Sequence, residues 1–504
     1  MDRKSENHTE LLRLWSQAPL QRRTLLGSFL LGTFASTSLG KALGATAPTI
    51  NQILGRPTNT SVALSVLTSS PLSCYVEYGY VKAKYVGKSS IIEAPSGAPI
   101  VFDITGLKPN SRIYYRVRYK DSTAKIFSAG KEYSFMTARK ASSNFSFTVQ
   151  GDTHPERAGK MFNSELYFVT MANIASQQPD FHILLGDDFS IDPLIDKGQA
   201  SQANVEKIYR THRDWLSVAG ASVPIFLVNG NHEQAASYLL DGTNSNPAVL
   251  AGNARLKYYP LPEPNSFYTG DLQQVENVGL PRDYFAWTWG DALFVSLDPY
   301  WHSKSAVDNV AGVSADTAQG VDKKNGGSGK TTNLWDVGIG DEQYAWLKRT
   351  LETSKAKFKF VFAHHVLGTG RGAVEVSTNY EWGGKDPKGL STFEKERPNW
   401  ELPIHDLMVK NGVSIFFQGH DHIFVHQERD GLVYQSMPNP ADDTFSMFNE
   451  SAYKTGTKAP NSGHVRVSIT SAAAKVEYFL AARSKDTSRK NLALAHSYIV
   501  KPKA

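Results

Sequence analysis

Seven side chains with the chemistry of metal ligands fall in five short blocks: Asp152 and His154, Asp187, Asn231, His364, and the pair His420 and His422. In order they read Asp-x-His, Gly-Asp, Gly-Asn-His-Glu, His and Gly-His-x-His, spread over about 270 residues. A carboxylate can bridge two cations, the amide oxygen of Asn is a hard neutral ligand, and imidazole suits Zn, Fe, Mn, Co or Ni. Two such ions held close together acidify a shared water and neutralise charge on a phosphoryl group, which is a device for hydrolysing phosphate esters.

Scattered ligands need a scaffold that gathers them, and the pattern around the blocks supplies one. Each block follows an apolar run within a few residues: 145–150 before Asp152, 181–185 before Asp187, 224–228 before Asn231, 358–363 before His364 and 414–418 before His420. Helical spacing is expected over 162–175, 205–218, 342–353 and 402–410, so strands alternate with helices as in an α/β sheet. In an open sheet of this kind the carboxyl ends of the strands face one crevice. A hairpin is expected over 284–297 about Gly290-Asp291, and strands return at 465–469 and 474–480. The polar stretches 235–283 and 302–338 are long enough to shape a site or to hold small elements of their own.

Ahead of this region, residues 48–138 read as all-β: short alternating segments at 61–66, 73–78, 112–118 and 134–137 are separated by Pro, Gly, Ser and Asn clusters. A polar linker is expected at 139–144 and a C-terminal tail at 486–504.

The chain of 504 residues carries a formal charge of +6. Outside residues 1–47 it has 48 Lys and Arg against 45 Asp and Glu, or +3, too mild for specific nucleic-acid binding to be expected. The single cysteine, Cys74, excludes an internal disulfide and a thiolate metal site, and reads as a small apolar strand residue. Residues 1–47 resemble a bacterial twin-arginine signal peptide: Arg22-Arg23 precedes a weakly apolar run at 28–39 and small residues crowd Ala45 and Ala47. The run is too short and too diluted by Gly, Ser and Thr to be expected to span a bilayer stably. The implied location is periplasmic or extracellular; an uncleaved anchor is the competing reading.

Taken together the five blocks resemble the calcineurin-like metallophosphoesterase superfamily, and the β-rich segment resembles the N-terminal sandwich of purple acid phosphatases, over about residues 50–485. The resemblance implies an α/β catalytic domain at 145–485, a four-layer αββα sandwich, preceded by an all-β fibronectin-type sandwich domain at 48–138. It implies two divalent or trivalent ions per chain, drawn from Fe, Zn, Mn, Co or Ni. Asp152, His154 and His422 would hold one, Asn231, His364 and His420 the other, and Asp187 would bridge them. The implied reaction is attack by a metal-bridging hydroxide, with His232 protonating the leaving oxygen and Glu233 or Asp188 orienting His232 from behind the ligands. Asn231, His365 and Arg371 are the residues expected to meet the substrate phosphate. Purple acid phosphatases carry a tyrosine where this chain has Ser190 and a glycine where it has His154, so an iron–tyrosinate chromophore is not expected.

Several residues admit plainer readings. Of the adjacent His364 and His365, the family's spacing favours His364 as ligand. His182, inside an apolar strand, reads as a satisfied core histidine. Tyr380-Glu381-Trp382 fits either a pocket wall or surface packing. Residues 327–331 look like the end of a phosphate-binding loop, but Lys324 stands where glycine is needed and no strand precedes it. The expected activity is phosphomonoester hydrolysis; the alternatives are a phosphodiesterase or nucleotidase on the same site, and a catalytically idle cell-envelope binding protein.

Overall fold

The computed structural model describes residues 48–233, 240–304, 307, 333–366, 370–386 and 388–503. The twin-arginine segment and residues 327–331 lie outside the described residues. The described residues form three sheets and a set of helices. The first sheet has nine strands in the order Leu494–Val500, Ala474–Leu480, Gly463–Ile469, Phe145–Gln150, His182–Leu184, Ile225–Leu227, Ile50–Gly55, Val62–Thr68 and Ile100–Ile104. The second has eight: Thr269–Gly270, Phe285–Trp289, Ala292–Ser296, Phe358–Phe362, Ile415–Gln418, Leu432–Ser436, Phe424–Arg429 and Thr457–Ala459. At the centre of each the strands run parallel: Phe145–Gln150 through Ile225–Leu227 in the first, Ala292–Ser296 through Leu432–Ser436 in the second.

Side-chain alternation places these two sheets face to face. Ile183 and Leu185, Phe360 and Phe362, and Ile415 and Phe417 enter the core between the sheets, while Leu184, Val361 and Phe416 point to the outer faces. The core between them is aromatic: Phe147 stacks on Phe181 at 5.5 Å, Phe226 on Trp287 at 4.2 Å and Phe362 on Phe417 at 5.1 Å. Helices Ser164–Gln177, Gln202–Gly220 and Pro247–Tyr258 cover the outer face of the first sheet. Their starts are set by Asn163, whose side chain caps the amide of Leu166, by Ser201, which caps Asn204, and by Asn246, which caps Ala248. Helices Gly340–Thr353 and Ile404–Lys410 cover the second sheet, their ends tied together by Lys359 Nζ, which donates to the carbonyls of Leu351 and Asn411. The layers therefore run helix–sheet–sheet–helix.

The third sheet, led by Leu72–Gly79 and Arg112–Lys120, packs on the end of the first to make the N-terminal β-sandwich. Its partner face is formed by Ile50–Gly55, Val62–Thr68 and Ile100–Ile104, which continue the nine-stranded sheet through the parallel pair Gly55 and Ile225. Buried Arg213 clamps this join, donating to Asn51 Oδ1, Ser65 Oγ and the carbonyls of Ser65 and Tyr258. The expected linker at 139–144 is anchored: Arg139 forks onto Asp180 at 2.6 and 2.9 Å.

One expectation is corrected here. Residues 486–504, read as a tail, contain the strand Leu494–Val500, which pairs antiparallel with Ala474–Leu480. His496, Tyr498 and Val500 turn one half-buried face to the protein, and Tyr498 stacks on His426 at 3.7 Å. The polar stretch 235–283 holds an element of its own, the helix Pro247–Tyr258. Among the described residues no helix is long and apolar enough to cross a membrane.

Candidate metal centre

The parallel strands of both sheets deliver their carboxyl ends to one crevice. Asp152, Asp187 and Asn231 follow Phe145–Gln150, His182–Leu184 and Ile225–Leu227; His364 and His420 follow Phe358–Phe362 and Ile415–Gln418. The backbone there is unusual. Asp187, His154, His420 and His422 have φ of +59°, +48°, +66° and +51°, a left-handed region that non-glycine residues rarely occupy and that clusters at functional sites. Glycines next to them permit close approach: a Cβ on Gly230 would sit 2.3 Å from Asp187 Oδ1, and one on Gly419 would sit 2.4 Å from Asp152 Oδ1.

The donor atoms of all seven residues converge. His422 Nε2 is 2.8 Å from Asp152 Oδ2 and 3.1 Å from His154 Nε2, and His154 Nε2 is 3.5 Å from Asp187 Oδ2. His364 Nε2 is 3.0 Å from both Asp187 Oδ2 and Asn231 Oδ1, and His420 Nδ1 is 3.0 Å from Asn231 Oδ1. These are two groups sharing Asp187: Asp152, His154 and His422 on one side, Asn231, His364 and His420 on the other. Ligands about 2.0–2.2 Å from one ion in tetrahedral or tighter geometry stand roughly 3–3.5 Å apart, so the separations fit a pair of cations. The tautomers fit as well. His154 Nδ1 bonds Glu156 Oε1 at 2.8 Å and His364 Nδ1 donates to the carbonyl of Leu185 at 2.7 Å, which leaves each Nε2 lone pair turned inward.

Electrostatics point the same way. Burial works against the Asp187 carboxylate, yet the imidazoles of His364, His232 and His154 hold it well below the usual carboxylate range. Burial would also lower His364, but Asp187 and Asp152 outweigh it and push its pKa up to about 10. At His364 a proton thus occupies the nitrogen that a cation would claim, whereas burial holds His154 and His420 well below the usual imidazole range.

Around the seven, the structure assigns roles that sequence had not. Glu233, expected to orient His232, instead turns inward: it accepts the amides of Asp187 at 2.9 Å, Asp188 at 2.8 Å and Phe189 at 3.1 Å, and that of Gly230. It shapes the loop carrying Asp187. Asp188 takes Thr153 Oγ1 at 2.7 Å, and burial with neighbouring Glu233 raises its pKa well above the usual range. His232 is oriented by Asp192, whose Oδ2 is 2.9 Å from Nδ1. Its other ring nitrogen faces Arg157 Nη2 at 3.0 Å, while its own amide donates to Asp187 Oδ1 at 2.8 Å. Burial lowers the His232 pKa, but Asp187 and Asp192 together raise it to about 9. Arg157 thus holds a lone pair on Nε2 where the carboxylates favour a proton, so one small anionic group entering between them would suit both side chains. Arg157 and Asp192 were missed because neither belongs to a block, although each lies within five residues of one.

Other expected contacts are placed differently. His365 lies 3.0 Å from Tyr300 Oη through Nδ1 and stacks on His420 at 4.8 Å, away from the paired donors. Arg371 donates to the carbonyl of His420 and to Asp421 Oδ1 at 3.1 Å. Asp421 is itself bonded by the amide of Gly372 and the hydroxyl of Tyr453, so this cluster braces the His420–His422 turn. Trp382 is fully buried and donates to Tyr434 Oη, which makes 380–382 core rather than pocket wall or surface. His182 is satisfied by Thr148 Oγ1 and Gln150 Oε1, and burial lowers it to about 3.

Comparison with known proteins agrees with this geometry. Residues 145–424 match the family model described as calcineurin-like phosphoesterase. The fold is similar to the structure of PhoD, with a TM-score of 0.58 and 16% identity over 90% of each chain. It is also similar to purple acid phosphatase PPD1 from yellow lupin (Lupinus luteus) seeds, with a TM-score of 0.55 and 14% identity over 90% of this chain and 74% of that one. No curated protein matches the chain. With more than half of its length inside the family model, the chain belongs to the calcineurin-like phosphoesterase family and is a metal-dependent phosphoester hydrolase.

Proposed function

We propose that this chain is an exported phosphatase that hydrolyses small phosphomonoesters at a binuclear centre. Asp152, His154 and His422 would hold one cation, and Asn231, His364 and His420 the other, with Asp187 between the two groups. The observation that carries the reading is the convergence of these seven donors, from five strand ends, at ligand-to-ligand spacings. When bound there, two cations would supply an activated water and neutralise charge on the phosphoryl oxygens.

The chain's own residues then do the rest. Arg157 presents a guanidinium beside His232, whose ring packs edge-on against that of His154, where a phosphoryl oxygen can accept from it. His232, tilted by Asp192, holds a proton at Nε2 for the departing oxygen once substrate displaces Arg157 from that nitrogen. Glu233 and the Asp421–Arg371–Tyr453 cluster keep the two ligand loops fixed. Export rests on Arg22-Arg23 and the weakly apolar run after them.

The test is turnover of the mono- and diester forms of one aryl phosphate by purified protein loaded with Zn, Mn, Fe, Co or Ni. Faster monoester turnover is expected; faster diester turnover would make the chain a phosphodiesterase on the same centre, and no turnover of either an idle binding protein. Changing Arg22-Arg23 to Lys-Lys should retain the protein in the cytoplasm of a host with a working twin-arginine system; unchanged export would remove that part of the proposal.

A further inference from the structure

A second set of metal-binding side chains lies apart from the crevice, at the edge of the eight-stranded sheet. Asp271 follows the short strand Thr269–Gly270, Asp283 precedes Phe285–Trp289, and His302 lies beyond Ala292–Ser296. One carboxylate oxygen from each acid and one ring nitrogen of His302 fall within 4.8 Å of one another. His302 Nε2 is 2.6 Å from Asp283 Oδ2. Asp271 is 1% exposed and Asp283 0%, so both carboxylates are out of water.

What the acids lack is informative. Asp271 Oδ1 accepts the amide of Gln273 at 2.9 Å, while Asp271 Oδ2 and Asp283 Oδ1 make no hydrogen bond within 3.5 Å among the described residues; the Tyr284 hydroxyl and Asp283 are the polar groups beside Asp271. Buried carboxylate oxygens without partners carry a large desolvation cost unless a cation or a proton sits between them. Apart from His302 itself, whose pKa burial lowers but Asp283 raises to about 9, the neighbouring cations are committed elsewhere. Arg255 donates to the carbonyls of Leu227, Pro281 and Arg282, and Arg282 pairs with Glu263. A third buried acid, Asp298, adds negative charge nearby; its oxygens are satisfied by Asn229 Nδ2 at 2.6 Å and the amide of Tyr300 at 2.7 Å.

We propose that Asp271, Asp283 and His302 bind a divalent cation separate from the catalytic pair. Two carboxylates with one imidazole suit Zn2+ or Mn2+, and the burial of both acids marks a structural site. The cation would pin the segment that carries Asp298, Tyr300 and His302. That segment reaches the catalytic centre twice, through Asp298 to Asn229, two residues before Asn231, and through Tyr300 Oη to His365 Nδ1 at 3.0 Å.

Crystals of the full chain soaked in Mn2+ should show an anomalous difference peak between Asp271, Asp283 and His302. In solution, protein equilibrated with excess Mn2+ or Zn2+ and then gel-filtered should carry one more ion per chain than the Asp271→Asn/Asp283→Asn or His302→Gln variant, each checked for folding by circular dichroism. A soaked crystal without that peak, or folded variants with the wild-type ion count, would overturn the proposal and leave a shared proton between the two acids. Because the solution readout is a difference, it stands whether or not the crevice holds its own two ions.

Discussion

The N-terminal sandwich and the catalytic crevice both bury titratable groups, with opposite results. In the sandwich, Cys74 sits at the centre of Leu72–Gly79 with no opposite charge beside it; burial, and then Glu93, push its thiol up to about 11. It is a small apolar residue in effect. In the crevice, burial is met by paired opposite charges, so Asp187 stays ionised and His232 and His364 are raised to about 9 and about 10. Backbone follows the same division. Left-handed residues of the sandwich such as Ala83 and Asn110 lie in turns, whereas in the crevice they are the proposed ligand positions themselves. Burial alone silences a group; burial among counter-charges, on a backbone bent to present them, makes a binding site.

The contrast can be broken most forcefully at the shared carboxylate. Asp187→Ala should lose metal, counted by mass spectrometry, and at least about 10³-fold in kcat/KM, since both cations depend on it. Full activity in that variant would remove Asp187 from the centre. Next is His232→Ala, expected to keep its metal and to lose about 10²-fold or more on poor leaving groups but far less on good ones. Equal losses on both would contradict proton donation. Gly419→Ala adds a methyl 2.4 Å from Asp152 Oδ1, and the displaced ligand should cost on the order of 10²-fold in activity. Asp192→Asn, which only loosens the orientation of His232, should cost about tenfold. At the small end, Cys74→Ala should leave kcat and KM unchanged and destabilise the fold by roughly 1 kcal/mol, read from denaturant midpoints. Any change in metal content there would undo the comparison.

The pH dependence of metal binding follows from the sign of the His364 shift. Its pKa in the metal-free chain lies above the ordinary imidazole value, so the ring stays protonated at neutral pH and metal must displace that proton. Apparent affinity should therefore rise with pH up to about 10, and calorimetry in buffers of different ionisation enthalpy should report about one proton released from His364 near neutral pH. Affinity that is flat across that range would mean that the ring is already neutral.

Much of this was legible because strand period and ligand type are local. The strands Phe145–Gln150 and Ala474–Leu480 occur at the bounds their alternation predicts, and the block order pointed to the crevice. The missing parts are relational. Arg157, in the short 3-10 turn Pro155–Arg157, and Asp192 gain meaning only from what they face. Glu233 sits beside His232 in sequence, yet the turn at Gly230 sends its carboxylate to four backbone amides instead. Arg371 looked like a phosphate contact because of its glycine-rich surroundings, but Asp421, fifty residues on, holds it. Asp271, Asp283 and His302 come from separate connections with no motif, so only folding brings them together. The edge strand Leu494–Val500 shows alternation too weak, with one half-buried face, to be told from a polar tail.

The central claim is that a metal pair in the crevice performs phosphoester hydrolysis, and chelation followed by metal add-back tests it most directly. Purified chain stripped of metal should lose hydrolysis of an aryl phosphate, and Zn2+ or Mn2+ should restore it in the wild type but not in Asp187→Ala. Turnover that survives complete stripping, or that returns equally in Asp187→Ala, would contradict the account.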